Sequence, residues 1–276
     1  MITVNGNIIE QNRFPDNTLN IKVYKTKYWE DYAVKGADAY IAKDFINHIT
    51  WHYEDDSELF TLICIRRHLA DSRVDLFLPY VPNARMDRVK EKQDVFTLKY
   101  FCEVINSLNF EMVTIIDPHS NVTPALIDRV RIINAETYIK YTVDAINNPD
   151  LVYFFPDEGA SKRYALNDRP STYANKKRDW ATGKIEGLQI VDPEVIKDKP
   201  VLIVDDICSR GGTFYYSVKE LRKYTDKPIY LYVSHCEETV LLGDLYKEEL
   251  VDKIYTTNML GNLEELDDKY LIETVE

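Results

Sequence analysis

The chain has 276 residues, 45% of them hydrophobic, and a formal net charge of −12. That length can bury one large core or two medium ones, and the acidic balance excludes a surface that grips a nucleic-acid backbone, which needs a basic footprint. Four cysteines, at 64, 102, 208 and 236, lie far apart with no Cys-x-x-Cys, so neither a disulfide framework nor a zinc knuckle is expected. No basic leader precedes an apolar run, and no stretch approaches the roughly 18 apolar residues of a membrane span. The expectation is a cytoplasmic protein with no membrane and no nucleic-acid partner.

Taken in order, His48 and His52 come first, four residues apart, and could share a helical face as metal ligands do. No third ligand is near them in sequence, so the pair is set aside. Residues 74–78 read as a strand, 97–108 as an amphipathic helix and 112–116 as a second strand. The polar stretch 144–150, with Asn147, Asn148 and Pro149, reads as a loop. It divides the chain into expected domains 1–146 and 147–276. Beyond it, strands are predicted at 151–155, 201–204 and 229–234, alternating with helical patterns. The acidic tail after Asn262 carries Leu263, Leu266, Tyr270 and Leu271 near helical spacing, which predicts a solvated helix folding one packed face back on the first domain. Such alternation means an α/β fold of parallel sheets flanked by helices, with functional loops at the carboxyl ends of strands.

Residues 201–213, VLIVDDICSRGGT, carry the most chemistry. A short apolar run bounded by Pro200 reads as a buried parallel strand, and Phe214, Val218 and Leu221 give the segment after it one helical face. In the intervening loop Gly211 and Gly212 let the backbone pass close to an anion, Ser209 and Thr213 add hydroxyls, and the helix start offers unpaired N–H groups to a phosphate. Asp205 and Asp206 cannot favour a phosphate by charge; they make sense as acceptors for sugar hydroxyls beside it. The plainer reading is a strand-turn-helix with a capping hydroxyl. Neither GxxxxGK[ST] nor GxGxxG occurs, so a Walker loop and the usual dinucleotide fingerprint are excluded.

The string resembles the phosphoribosyl pyrophosphate binding motif shared by type I phosphoribosyltransferases and ribose-phosphate pyrophosphokinases. Four further segments, in family order, resemble the pyrophosphokinases. FLPYVPNARMDR (77–88) is similar to the ATP-side Ala-Arg-x-Asp-Arg segment, and IIDPHSNVTPALID (115–128) to the Asp-x-His segment. FFPDEGASKR (154–163) is similar to the Pro-Asp-x-Gly segment, and NKKRDWATGKI (175–185) to the flexible catalytic loop. NRFPDNTLNI (12–21) has the look of the Arg-Phe-x-Asp-Gly-Glu stretch, with Asn17 and Thr18 in place of Gly-Glu, and Met86 stands where the family often has Gln.

The resemblance implies two tandem phosphoribosyltransferase-like domains, ATP-side then ribose-phosphate-side. It implies transfer of the β,γ-diphosphoryl group of ATP to the anomeric hydroxyl of ribose 5-phosphate, giving phosphoribosyl pyrophosphate and AMP with Mg2+. Lys176 and Arg178 are then catalytic. Phe14, Asp16, Arg85, Asp87 and His119 meet ATP; Asp205, Asp206, Ser209, Arg210, Gly211, Gly212 and Thr213 hold the ribose phosphate; His119 and Asp157 lie at the metal. Other cations expected to meet phosphates are Arg88, Lys162, Arg163 and Lys177. A homo-oligomer, dimer or hexamer, is also implied. At 209–210 the family typically has Asp-Thr where this chain has Ser-Arg, so a carboxylate gives way to a guanidinium. The alternative acceptor is therefore a 5-substituted ribose phosphate such as ADP-ribose, with Arg210 on its second phosphate; the contrary reading is that Arg210 points to solvent or pairs with a carboxylate. A phosphoribosyltransferase and a non-catalytic regulatory relative remain as further alternatives, distinguished by ATP-dependent release of AMP.

Overall fold

The structure, a computed structural model, describes residues 1–23, 46–178, 185–260 and 272–274. The chain divides into two compact units, Met1–Ile133 and Asn134–Glu276. In the first, β1 (Ile2–Val4) and β2 (Asn7–Ile8) precede a separate hairpin of β3 (Glu10–Arg13) and β4 (Leu19–Lys22). Then follow β5 (Ile46–Trp51), α1 (Ser57–His68), β6 (Arg73–Leu78), α2 (Thr97–Ser107), β7 (Val113–Ile116), α3 (Val122–Leu126) and β8 (Val130–Ile133). Among the described residues the sheet order is β2-β1-β5-β6-β7-β8, with β5 to β8 parallel and β1 and β2 antiparallel at one edge.

These elements follow from local pattern. In β6, Val74, Leu76 and Leu78 alternate into the core, the period of two that a strand demands. In α2, Leu98, Phe101, Cys102 and Ile105 are buried at helical spacing. His48 lies on strand β5 rather than on a helix, exposed and 3.8 Å from Asp75. The helical face imagined for His48 and His52 therefore does not exist, because Ile49 and Trp51 alternate inward with fully buried side chains.

The second unit runs α4 (Glu136–Ile146), β9 (Val152–Phe155), α5 (Glu158–Tyr164), β10 (Ser171–Arg178), β11 (Ile185–Ile190), β12 (Val201–Cys208) and α6 (Gly212–Leu221). It ends with β13 (Ile229–Glu237), α7 (Asp244–Lys247), β14 (Lys253–Leu260) and β15 (Ile272–Thr274). Sheet order is β11-β10-β9-β12-β13-β14-β15, parallel except for the β10–β11 hairpin. Helix α4 belongs here although the loop at 144–150 had placed it in the first domain: Ile139 and Val143 pack into the cluster that holds Leu151, Tyr153 and Phe155. The described end of the tail also departs from expectation. Residues 272–274 extend the second sheet as β15 beside β14; residues 261–271, where the helix was predicted, lie outside the described residues.

A buried polar contact ties the start of α1 to β5. Glu58, 5% exposed, accepts hydrogen bonds from Trp51 Nε1 and from the Glu54 N–H, each at 2.8 Å. Replacing Glu58 by Ala leaves a buried indole N–H without its acceptor, so Glu58→Ala is expected to lower stability by about 1–3 kcal/mol in urea unfolding. No change in the unfolding midpoint would show that the indole finds another acceptor.

Candidate active site

In the first unit the expected ATP-side residues fall after neighbouring strands. Arg85 and Asp87 follow β6, and His119 follows β7; the Ile116 N–H donates to the Pro79 carbonyl at 3.2 Å and holds the two loops side by side. Val81 and Ala84 are buried, leaving Arg85 exposed beyond them. Asp87 pairs with Arg88 Nε at 3.1 Å. Phe14 and Asp16 lie instead at the tip of the β3–β4 hairpin, with Phe14 54% exposed. The Asp16 carboxylate accepts from the Thr18 hydroxyl at 2.7 Å and the Thr18 N–H at 3.0 Å, which holds it below the usual carboxylate range. Asn17 takes the left-handed conformation, φ 68°. That explains how Asn replaces the Gly of the resembled motif, since Asn tolerates this region with little penalty.

In the second unit β12 runs on through both aspartates to Cys208, past the predicted end at Val204. The reason is its neighbour: Asp205 pairs with Val233, Ile207 with His235 and Cys208 with Cys236, so the β13 ladder carries the strand forward. Asp206 is 6% exposed and ion-paired with Arg163, Nη1 to Oδ2 at 3.2 Å. Asp205 accepts the Asp206 N–H at 3.0 Å. Burial first, and then the charge of Asp206, push its carboxyl well above the usual range, with Asp157 adding to the effect. Asp157 follows β9, the other neighbour of β12, and caps α5 by accepting the Ala160 N–H at 3.0 Å.

The loop after β12 has the geometry an anion needs. Gly211 sits at φ 74° as the N-terminal cap of α6, no side chain caps that helix, and Gly212 opens onto free space. The first-turn N–H groups are thus offered outward at the positive end of the helix dipole. Thr213 and Arg210 are exposed. Phe214, Val218 and Leu221 are all buried and anchor the helix behind the loop.

The structure thus gathers Asp157, Asp205, Asp206 and residues 209–213 at the carboxyl ends of β9 and β12. Strand β10, on the far side of β9, pairs with it only as far as Tyr173 opposite Phe155. Lys176 and Arg178 continue beyond that point as backbone partners of Leu188 and Ile185 in the β10–β11 hairpin. Their side chains, that of Lys177 and residues 179–184 lie outside the described residues.

Sequence reading missed several contributors. A Cβ on Gly243 would lie 1.8 Å from the Arg210 carbonyl oxygen, and one on Gly211 would lie 2.8 Å from Leu245 Cδ2. The segment around α7 therefore buttresses the loop from behind. A single glycine in LLGD gives no sign of this in sequence. His235 and Asn258, both buried, meet at 3.4 Å near the carboxyl ends of β13 and β14; the only signal was a polar Ser-His pair ending an apolar run.

No protein-family model matches the chain. The ribose-phosphate pyrophosphokinase of Mycoplasma pneumoniae is 27% identical over 231 residues, covering 78% of this chain and 69% of that protein. The ribose-phosphate pyrophosphokinase of Mycoplasma genitalium is 25% identical over 246 residues, 83% and 70% of the two chains. The chain is thus similar over most of its length to proteins named ribose-phosphate pyrophosphokinase. Its fold matches the crystal structure of phosphoribosylpyrophosphate synthetase from Mycobacterium smegmatis with a TM-score of 0.72 at 17% identity, over 96% of this chain and 83% of that one. Among the described residues no helix is long and apolar enough to cross a membrane.

Gly243 has φ −87° and ψ 157°, a conformation open to any residue, so its requirement is one of space alone. Gly243→Ala is expected to displace residues 209–213, to lower stability by about 1–3 kcal/mol as overpacking does, and to weaken sugar-phosphate binding. Thermal melting and calorimetric titration read the two effects; both unchanged would mean that the loop yields without consequence.

Proposed function

We propose that the enzyme transfers the β,γ-diphosphoryl group of ATP to the anomeric hydroxyl of ribose 5-phosphate, releasing AMP and phosphoribosyl pyrophosphate. The observation that carries this is the second unit's cradle: a half-buried and a buried aspartate, Asp205 and Asp206, lie near the end of a central strand, and a helix start without a side-chain cap follows the loop after it. An anion and the polyol attached to it are the ligand such a juxtaposition suits. The 5-phosphate lies against the N–H groups of residues 211–213 and the Ser209 and Thr213 hydroxyls, while Asp205 and Asp206 accept hydrogen bonds from the ribose hydroxyls. Orienting the anomeric oxygen towards the β phosphorus is then most of the protein's work, because phosphoryl transfer asks for alignment and cations rather than covalent help. Lys176 and Arg178, on the hairpin at the same sheet edge, are the cations assigned to the developing charge.

Magnesium is part of this proposal. Magnesium uses one or two protein carboxylates and takes its remaining oxygens from phosphates and water. Asp157 supplies such a carboxylate beside the desolvated Asp205, whereas His119, a poor donor for so hard a cation, acts through water or on the nucleotide. When bound, magnesium would supply positive charge that offsets the charge on the phosphates.

One observation favours a second acceptor. Arg210 is exposed and makes no ion pair among the described residues, leaving its guanidinium available to a second phosphate, as in ADP-ribose.

Incubation with ATP, magnesium and ribose 5-phosphate is expected to yield AMP and phosphoribosyl pyrophosphate by mass spectrometry. Lys176→Ala and Arg178→Ala should each lower kcat by on the order of 10²-fold. Absence of AMP with either sugar would overturn the proposal in favour of a transferase or a binding protein. If ADP-ribose is the acceptor, Arg210→Thr should lower turnover of ADP-ribose far more than of ribose 5-phosphate; an equal loss for both removes that second reading.

A further inference from the structure

Arg163 was expected among the cations that meet phosphate, yet its guanidinium faces a carboxylate. Its Nη1 lies 3.2 Å from Asp206 Oδ2, where the Asp206 side chain is 8% exposed and that of Arg163 24%. An arginine spent on a buried carboxylate has little net charge left for an anion. The guanidinium is also supported from the side: its carbon lies 5.3 Å from the Tyr164 ring centroid, and Tyr164 stacks on the buried Phe155 at 6.3 Å and 14°. Helix α5, started by the Asp157 cap, thus sets one cation against the end of β12 with its orientation fixed.

The carboxylate needs that partner. Asp206 is buried, and Asp205 precedes it with like charge. Burial and like charge both oppose ionisation, and a neutral carboxyl is a weaker acceptor for sugar hydroxyls than a carboxylate. We infer that Arg163 is a positioning residue for the acceptor sugar: it acts through Asp206, keeping that carboxylate charged and turned to receive the ribose hydroxyls. The inference rests on the reading that Asp206 meets the sugar. It makes Arg163 a determinant of acceptor binding rather than of phosphate charge.

The test is a double-mutant cycle on the full chain, with AMP release followed at saturating ATP and magnesium while ribose 5-phosphate is varied. Arg163→Met is expected to raise the KM for ribose 5-phosphate by on the order of tenfold, within the span of couplings between contacting charged residues, with a smaller change in kcat. Arg163→Lys, which restores the charge but not the fork, should recover part of the loss. In an Asp206→Asn background Arg163→Met should raise the KM no further, and melting temperatures of the same four proteins should show the same non-additivity. Should Arg163→Met fail to fold, Arg163→Lys alone and with Asp206→Asn provides the comparison. An unchanged KM in the Arg163 variants, or full additivity with Asp206→Asn, overturns the inference. Wild-type protein that releases no AMP overturns the functional reading instead, while the melting cycle still reports whether the two residues are coupled.

Discussion

Two adjacent carboxylates near the end of an apolar strand, Asp206 buried and Asp205 half-buried, are the constraint on which the second unit turns. Val201 to Val204 are fully buried on both faces of the sheet, which makes β12 a rigid support and also makes its end a poor place for charge. The surrounding structure answers in three ways. Arg163 neutralises one carboxylate, a backbone N–H satisfies an oxygen of the other, and the positive end of α6 lies a few residues on. The residual excess of acid is what a cationic or hydroxyl-bearing ligand would relieve, so the binding chemistry and the local instability are one fact.

Shape is the second demand, and backbone supplies it. The loop after β12 must pass between the helix it starts and the segment around α7, and there is room only because Gly211 and Gly243 lack side chains. The two glycines serve different ends: Gly211 needs a left-handed turn, whereas Gly243 needs only to be small. The candidate anion cradle is thus defined as much by what is missing from two residues as by the hydroxyls and N–H groups that line it.

Much of this was legible in the sequence where a short-range pattern carried it. The strand-loop-helix at 201–213 and the alternating core of β6 follow from spacing alone, as does the buried face of α6. The domain boundary was less legible, because Asn147 and Pro149 signal a loop but not which side the preceding helix packs on; only the contacts of Ile139 and Val143 decide that. The partner of Arg163 and the role of Gly243 were invisible for a different reason. Each depends on an approach between segments remote in the chain, and a lone cation or glycine reads the same in either setting. Asn17 is the intermediate case: its departure from the resembled motif is legible in the sequence, whereas its positive φ, a conformation that Gly also adopts readily, is not.

The position of β12 in its sheet also bears on how the protein reaches its folded state. Val201 lies in register with Val152 on one side and with Ile229 on the other, neighbours drawn from distant parts of the chain. Closing those loops takes entropy before the contacts return any stability, which makes parallel pairing of this kind slow. The segment that carries the aspartates is therefore an apolar strand whose edges stay open until both neighbours arrive. During folding, the stretch that carries the candidate site is also the one most prone to pair with the wrong partner.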